Sequence, residues 1–300
     1  IHGLIRRTSL FNTSRIDHLS HDSHDRDAKV FLHFGDMSDS NSLVKVIKDV
    51  QPDEVYNLAS MSQVRVSFDI PEYTGDVTGL GVTRLLEAIK NNKKDAKFYM
   101  SGSSEIFGSS LPPQNEETLV KPQSPYGAAK AYGVYMTRVY RTGYGMFAAN
   151  GILFNHESPR RGDTFVTKKI VRSAIRIKLG KEKEVFLGNL DTLRDWGYAK
   201  DYCNAIYKIM QADDPDDWVV GTGESHTIRE FAEKVFGTLG LDFYTFSKFD
   251  ERYARPNDVY NLRADITKIR TKLGWKPEVN FEQLIDIMVK EVYDEEAKNV

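Results

Sequence analysis

A tyrosine and a lysine stand four residues apart at the start of a predicted helix. Ser124 and Pro125 come just before Tyr126; serine favours the N-cap of a helix and proline favours its first position. Residues four apart share a helix face, so we expect the ammonium of Lys130 beside the phenol of Tyr126. A nearby ammonium favours the phenolate, which predicts a lowered Tyr126 pKa and a general base. The spacing alone leaves open that the two side chains merely share a surface face.

A hydroxyl and a carboxylate follow the predicted strand at 96–101. Ser103 and Glu105 lie just beyond its end, and ligands of open α/β sheets bind beyond the carboxyl ends of strands. We therefore expect both side chains to face a ligand cleft; the alternative is a Ser/Gly-rich turn in which Glu105 points to water. A second strand, near 54–59, ends in small residues up to Ser60, where a flat ligand could approach the backbone. Close packing of strand on helix is the alternative there.

These residues are positioned by an alternation of short apolar segments with longer segments of helical periodicity. That alternation predicts an α/β fold with a parallel sheet. We expect strands near 1–6, 29–34, 54–59, 96–101 and 148–154, and helices near 39–50, 75–92, 124–143 and 165–179. After about residue 181 the pattern loosens into a smaller second lobe, with helices near 200–212, 227–239 and 280–297. The acidic run 213–217 is expected to be a solvated turn.

Length and composition exclude several classes of protein. The chain of 300 residues carries 41 Lys and Arg against 43 Asp and Glu, and 40% of its residues are hydrophobic, which suits a soluble globular chain with a substantial core. The near-neutral balance offers no broad basic field for nucleic acid. The single cysteine, Cys203, excludes an intramolecular disulfide, and no apolar run approaches the roughly 18–20 residues of a membrane span. We expect a cytoplasmic protein with no nucleic-acid, membrane or metal partner.

Two arginines end the first predicted strand. An acidic residue at this place binds the ribose of NAD, whereas Arg6 and Arg7 suit the 2′-phosphate of NADP; an accidental pair of charges is the alternative. The sequence contains no Gly-x-Gly-x-x-Gly or Gly-x-x-Gly-x-x-Gly turn. If residues 1–6 form the second strand of a dinucleotide-binding unit, we expect its first strand and phosphate-binding turn to precede this sequence. On that expectation the chain by itself binds NADP weakly.

Longer motifs add a resemblance to a known family. They are Ile5-Arg6-Arg7-Thr8-Ser9 with Phe11-Asn12-Thr13, Gly35-Asp36-Met37, Asn57-Leu58-Ala59-Ser60, Ser103-Ser104-Glu105, the segment 151–162 and Leu193-Arg194-Asp195-Trp196-Gly197. In these motifs the chain resembles the extended short-chain dehydrogenase/reductase family, in the branch that dehydrates GDP-mannose, over essentially its whole length. The run Asn-His-Glu-Ser-Pro-Arg-Arg-Gly at 155–162 is highly specific, whereas Tyr-x-x-x-Lys alone is not.

The resemblance implies a fold and an assembly. The fold is α/β, a Rossmann-type doubly wound parallel sheet with a smaller, interleaved C-terminal α/β lobe. Residues 1–157 would form the NADP-binding domain, to which part of 190–225 returns, and 158–300 would form mainly the nucleotide-sugar lobe. The segment from Arg7 to Arg15 resembles a loop that reaches a neighbouring subunit's cofactor site, which implies a homo-oligomer, a tetramer built as a dimer of dimers. A mobile surface stretch is the alternative for that segment.

The activity implied is that of a lyase. GDP-D-mannose would become GDP-4-keto-6-deoxy-D-mannose by internal hydride transfer from C4 through NADP to C6. Tyr126 with Lys130 would serve the oxidation at C4, Glu105 would remove the C5 proton, and Ser103 would assist. The alternatives are another nucleotide-sugar dehydratase, an epimerase or a 4-keto reductase of the same family, and a non-catalytic subunit that binds a nucleotide sugar. A simple reductase has no need of a carboxylate at C5, so Glu105 argues against it.

Further positions match binding residues of that family. Those implied for NADP are Arg6, Arg7, Asp36, Met37, Leu58, Ala59, Ser60, Ser62, Tyr73, Lys130, His156 and Arg161. Those implied for the GDP-sugar are Asn155, Lys169, Arg194, Arg255 and Asp258. Arginine and lysine suit a diphosphate because they form charge-assisted hydrogen bonds. The chain departs from the family at Ser103, where threonine is common, and at Asp258, where glutamate is usual, so we expect looser positioning at the first and a weaker ribose contact at the second.

Overall fold

Strands and helices alternate through the first half of the chain. The computed structural model describes residues 1–10, 12–19, 28–253 and 256–298. The elements of this half are β1 (His2–Ile5), β2 (Phe31–Phe34), α1 (Ser40–Val50), β3 (Glu54–Asn57), α2 (Val64–Ser67), α3 (Pro71–Thr74), α4 (Gly81–Asn92), β4 (Lys97–Ser103), α5 (Pro125–Tyr144) and β5 (Ala148–Leu153). A π-helical segment, Gly75–Leu80, leads into α4, and a 3₁₀ turn, Ser104–Ile106, follows β4. The strands and helices expected here are confirmed, with small shifts at their ends.

The second half has shorter strands between its helices. Its elements are β6 (Asn155–Glu157), α6 (Val166–Lys178), β7 (Val185–Leu187), β8 (Leu193–Arg194), β9 (Trp196–Tyr198), α7 (Ala199–Met210), β10 (Asp217–Val220), β11 (His226–Thr227), α8 (Ile228–Thr238), α9 (Phe243–Phe246), β12 (Ser247–Phe249), β13 (Asn261–Leu262), α10 (Thr267–Leu273) and α11 (Phe281–Ala297). Both α8 and α11 begin with a capping box, which satisfies two backbone amides reciprocally. The four helices expected in this half, near 165–179, 200–212, 227–239 and 280–297, are confirmed.

The central sheet is parallel, with strand order β10-β5-β4-β3. Every residue of β5 is buried, as in a parallel strand covered on both faces. β1 and β2 pair in parallel with each other as a separate two-stranded sheet. The Rossmann-type α/β class is confirmed, but over the described residues the expected single sheet is divided, because none of their strands joins β1 or β2 to β3.

Two large apolar cores stabilise the two halves. One packs α1 and α4 on the central sheet around Leu86 and Phe98, and the other packs α6 against α8 and α11 around Val171 and Met288. β10 lies beside β5; the return of part of 190–225 to the first domain stays a prediction. The division at residue 157 stays a prediction. Among the described helices, none is both long and apolar enough to cross a membrane.

The acidic run at 213–217 differs from its expectation at one residue. Asp217 begins β10 and is buried, and its carboxylate accepts hydrogen bonds from Arg138, Arg141 and Asn150. These partners belong to α5 and β5, more than 60 residues away along the chain. The expectation of a solvated turn is therefore wrong for Asp217, because its surroundings are set by tertiary contacts.

Candidate active site

A cleft of about 860 Å³ opens at the carboxyl ends of β4 and β5. The side chains of both lobes line it, which is where a parallel α/β sheet is expected to bind ligands. The predicted site residues that line this cleft are Leu58, Ser60, Ser62, Ser103, Glu105, Tyr126, Lys130, Asn155, His156, Arg161, Lys169, Arg194 and Asp258. The structure thus brings the four predicted catalytic residues together with most of the predicted binding residues.

Ser103 and Glu105 are held by the end of β4. Ser103 is the last residue of the strand, and its Oγ accepts a hydrogen bond of 3.3 Å from the backbone amide of Glu105 as the chain turns into the 3₁₀ segment. The Ser103 hydroxyl also lowers the pKa of the Tyr126 phenol, against the effect of burial. Ser103, at the end of β4, is therefore close enough to influence the phenol that helix α5 carries.

Helix α5 begins where the sequence predicts. The Ser124 Oγ accepts the backbone amide of Gly127 at 3.0 Å, with Pro125 in the first turn. The backbone amide of Tyr126 donates to the Oγ of Ser67 at 3.3 Å, which ties α5 to α2. A Cβ at Gly127 would lie 2.7 Å from the backbone oxygen of Glu105. Glycine is therefore required for α5 to approach the 3₁₀ turn at Ser104–Ile106.

The expected effect of Lys130 on Tyr126 is not observed. The Nζ of Lys130 donates to the backbone oxygen of Ser101 at 2.7 Å and lies 5.8 Å from the centre of the Tyr126 ring. Burial raises the pKa of Tyr126 to about 12 against the opposing effects of the Ser103 hydrogen bond and the Arg161 charge. Burial also lowers the pKa of Lys130 to about 8. The predicted lowering of the Tyr126 pKa is wrong for the protein without ligands, because desolvation outweighs the neighbouring cations.

His156 is a neutral hydrogen-bond acceptor toward the cleft. Its Nδ1 lies 2.9 Å from the backbone oxygen of Phe154; a carbonyl accepts only, so this nitrogen carries the proton and Nε2 is left to accept. Burial lowers the pKa of His156 to about 4, and the charges of Arg161 and Lys130 act in the same direction. The ring stacks on Tyr202 with centroids 4.9 Å apart. This tautomer suits an amide donor on a ligand.

The predicted GDP-sugar residues collect on the opposite wall. The Nη2 of Arg194 lies 3.3 Å from Oδ1 of Asp258, and both side chains line the cleft. Lys169 lies on α6; its Nζ donates to the backbone oxygen of Phe186 and lies 3.3 Å from the centre of the Tyr253 ring. Arg255 lies outside the described residues. The wall therefore combines two described cations with a carboxylate, which suits a diphosphate beside a ribose.

The predicted residues for the adenosine end of NADP form a separate group, which does not line the cleft. Arg6 donates to the phenol oxygen of Tyr73, and the Arg7 guanidinium lies 5.0 Å from the centre of the Phe34 ring. Burial opposes ionisation of Asp36, but hydrogen bonds from Ser38 and the charge of Arg6 lower its pKa overall. The donor set, two guanidinium groups at the end of β1, fits a 2′-phosphate.

Two residues predicted for the cofactor are partly or wholly in the core. The Met37 side chain is buried in the core that contains α1 and α4, so it is not available to an adenine. Its backbone lies in the turn between β2 and α1. Ala59 packs against the same core, and its amide donates to the Asn57 side chain. Their predicted ligand contacts would therefore be made by the backbone.

Sequence reasoning missed several residues that shape the site. Ser67 and Gly127 place Tyr126, and Glu157 and Thr167 lie behind Arg161. The signals present were the glycine directly after Tyr126 and the acid inside the motif at 155–162. Neither could be assigned a role without knowing what packs against it.

Fold and site together define a class: extended short-chain dehydrogenases/reductases, with a Tyr-x-x-x-Lys helix and a hydroxyl at the carboxyl edge of a parallel sheet. RMD from Pseudomonas aeruginosa, solved with NADPH, aligns with a TM-score of 0.80 and 23% identity over 93% of this chain and 95% of its own. A dTDP-glucose 4,6-dehydratase from Bacillus anthracis, solved with NAD, aligns with a TM-score of 0.83 and 20% identity over 99% of this chain and 88% of its own. At these identities the likeness shows the fold.

Closer relatives define the family. The sequence profile described as GDP-mannose 4,6 dehydratase matches residues 1–288. GDP-mannose 4,6 dehydratase 1 from Arabidopsis thaliana is 50% identical over 296 residues, which cover 97% of this chain and 82% of the relative. The chain belongs to the GDP-mannose 4,6-dehydratase family, and the resemblance expected from the sequence motifs is confirmed.

Proposed function

We propose that the chain is an enzyme that dehydrates GDP-D-mannose to GDP-4-keto-6-deoxy-D-mannose. Membership of the family supports this activity. The observation that carries it to individual residues is the convergence of Ser103, Glu105, Tyr126 and Lys130 in one cleft. An epimerase or a reductase of the same class shares the tyrosine and lysine, but the buried Glu105 supplies the extra base that a dehydration at C5 and C6 requires.

The four residues have complementary roles in proton transfer. Tyr126 removes the proton of the 4-hydroxyl group, with Ser103 donating to the developing phenolate and Lys130 holding the nearby backbone and adding positive charge. Oxidation at C4 acidifies the C5 proton, which Glu105 removes. The hydroxyl at C6 then leaves as water, protonated by Glu105 or through the Ser103 hydroxyl.

NADP is the cofactor that we propose. Bound in this site, it supplies a reversible two-electron acceptor, so that the dehydration is redox-neutral overall. Arg6 and Arg7, with Tyr73, would hold the 2′-phosphate, and the turn at 58–62 with His156 would hold the nicotinamide end. Structural neighbours solved with NADPH and with NAD support a nicotinamide dinucleotide, and the arginine pair favours the phosphorylated form.

The GDP-sugar is assigned to the wall formed by Asn155, Lys169, Arg194 and Asp258. The two cations would contact the diphosphate, and the Asp258 carboxylate would accept a ribose hydroxyl. Arg194 is buried and paired with Asp258, so the pair is placed before substrate arrives. Ser103 lacks the methyl group of the threonine that is common in the family, and Asp258 is one methylene shorter than the usual glutamate. We expect both differences to loosen ligand positioning without removing function.

A homo-oligomer is the assembly that we propose. Helix α5 exposes Tyr132, Tyr135 and Val139 at the spacing of one helix face, and Leu80 lies exposed on the neighbouring π-helical segment. A second copy of the chain would cover this apolar face. The tetramer, and the cytoplasmic location expected from the sequence, stay predictions; light scattering of the purified protein tests the first.

The decisive assay incubates the full-length gene product with GDP-mannose and a catalytic amount of NADP⁺ in D₂O. We expect loss of one water from the sugar, deuterium at C5 by NMR, and no net NADPH by absorbance. Net NADPH would move the assignment to a dehydrogenase, and an unchanged substrate mass would move it to an epimerase or a non-catalytic subunit.

A further inference from the structure

A buried carboxylate lies among the residues that line the cleft, outside the groups given roles above. Glu157 is the last residue of β6 and is 1% exposed. An ionised carboxylate in such a place is costly unless it is paired and hydrogen-bonded. Its contacts therefore indicate what it is there to hold.

Both partners of Glu157 meet the same oxygen. Thr167 donates its hydroxyl to Oε2 at 2.6 Å, and Nε of Arg161 lies 3.3 Å from that oxygen as an ion pair. Burial raises the pKa of Glu157, while the Arg161 charge and the Thr167 hydrogen bond oppose the rise. Thr167 comes from another element, so Glu157 links the motif at 155–162 to α6.

The N-terminus of α6 also stabilises the Glu157 carboxylate. Helix α6 has no acidic residue in its first turn, and its N-cap, Phe165, makes no side-chain capping hydrogen bond. Thr167 belongs to that first turn, so Glu157 brings a negative charge close to the positive end of the helix dipole. The carboxylate is thereby favoured on two sides.

The Arg161 side chain is held on three sides. Glu157 contacts its Nε, its Cζ lies 3.8 Å from the centre of the Phe165 ring, and its Nη1 donates to the backbone oxygen of His156 at 3.5 Å. The side chain keeps 23% of its surface exposed and lines the cleft. The charge of Arg161 reaches both Tyr126 and His156.

We propose that Glu157 is a positioning residue which, together with Thr167 and Phe165, holds the Arg161 guanidinium at the wall of the cleft that contains Tyr126. The inference rests on the proposed function and on the contact between Arg161 and NADP that the family resemblance implies. The Glu157 carboxylate contacts Thr167 and Arg161, and we assign it no direct contact with the ligand or the reacting atoms. Glu157 affects ligand binding only by holding the Arg161 guanidinium. Substituting Glu157 is therefore expected to have no further effect on binding once Arg161 has been replaced.

A double-mutant cycle tests this dependence. The variants Glu157→Gln, Arg161→Lys and the combination of both are titrated with NADPH at equilibrium by fluorescence, independently of turnover. We expect Glu157→Gln to raise the Kd about tenfold, because the Arg161 guanidinium loses its buried ion-pair partner. The double variant is expected to bind no more weakly than Arg161→Lys alone. Glu157→Asp keeps the charge and is expected to recover part of the affinity.

A matched control separates positioning from general stability. Glu296 is also buried, and it pairs with Arg172 and Arg176 on the same helix α6, away from the cleft wall. Glu296→Gln is expected to lower the melting temperature and to leave the NADPH Kd unchanged. If Glu157→Gln does not fold, Phe165→Leu removes another support of Arg161 and is expected to raise the same Kd by a few-fold.

The possible failures are distinguishable. If the wild-type protein binds NADPH and Glu157→Gln binds it equally well, the positioning role is wrong and the proposed function stands. Additive losses in the double variant also overturn it, because Glu157 would then act independently of Arg161. A full-length wild-type protein that neither binds NADPH nor dehydrates GDP-mannose refutes the proposed function, and with it the basis of this inference.

Discussion

The candidate active-site cleft and the basic group at the end of β1 differ in how their side chains are held. In the cleft, Tyr126 and Lys130 are buried and are anchored by backbone or side-chain partners from other elements. At the end of β1, Arg6 and Tyr73 are exposed and contact mainly each other. Groups that move protons need a fixed geometry before the ligand arrives. A surface cation that binds a phosphate can acquire its geometry from the ligand.

The largest effect is expected at the pre-arranged side of this comparison. Tyr126→Phe removes the proposed base at the 4-hydroxyl and should lower kcat by about 10³–10⁴. NADPH binding should stay within a few-fold of the wild type. The loss in kcat is measured by steady-state dehydration of GDP-mannose. Tyr144→Phe, at the exposed end of the same helix, is the control. An active Tyr126→Phe enzyme would remove Tyr126 from the mechanism.

Glu105→Gln should separate the two halves of the reaction. Removal of the C5 proton should slow by about 10²–10³, while proton removal at the 4-hydroxyl remains possible through Tyr126. The expected signature is a burst of NADPH absorbance under single-turnover conditions, with little deuterium entering C5. Normal deuterium uptake at C5 would assign that step to another base.

Gly127→Ala tests whether the approach of α5 to the catalytic turn is as tight as the contact with Glu105 indicates. An added Cβ would lie 2.7 Å from the backbone oxygen of Glu105, and we expect a loss of about 1–3 kcal/mol in the free energy of unfolding. Gly143→Ala is the matched control on the same helix, where nothing lies within 4 Å of the added carbon. That variant should be neutral or stabilising by about 0.5–1 kcal/mol in chemical denaturation. Equal stabilities of the two variants would contradict the tight contact.

The smallest effect is expected at the exposed group. Arg6→Gln and Arg7→Gln should each weaken NADPH binding by about tenfold and leave NADH binding nearly unchanged, because only the 2′-phosphate distinguishes the two ligands. Lys45→Gln, an exposed lysine on α1 paired with Asp49, serves as control. Parallel losses for NADPH and NADH would mean that the arginines support the fold and do not read the phosphate.

Much of this molecule could be predicted from local sequence. Ser124 and Pro125 place the start of α5, and the apolar segments place the central strands, because capping and strand periodicity depend on neighbours along the chain. The motif at 155–162 identified the family, since many residues in a fixed order rarely coincide. The family resemblance, and not the residue types alone, predicted that Ser103, Glu105, Tyr126 and Lys130 share one site, and all four line the cleft.

The sequence could not predict the surroundings of individual side chains. The orientation of Lys130 toward the Ser101 carbonyl and the burial of Asp217 each depend on an element distant along the chain, and the hydrogen bond of Glu157 depends on how the next helix, α6, packs. Burial and the field of neighbouring charges decide pKa values, and both come from packing. The sequence by itself determined which groups are available for chemistry and which helices and strands carry them; only the tertiary structure decided which of them are desolvated, paired and pointed at one another.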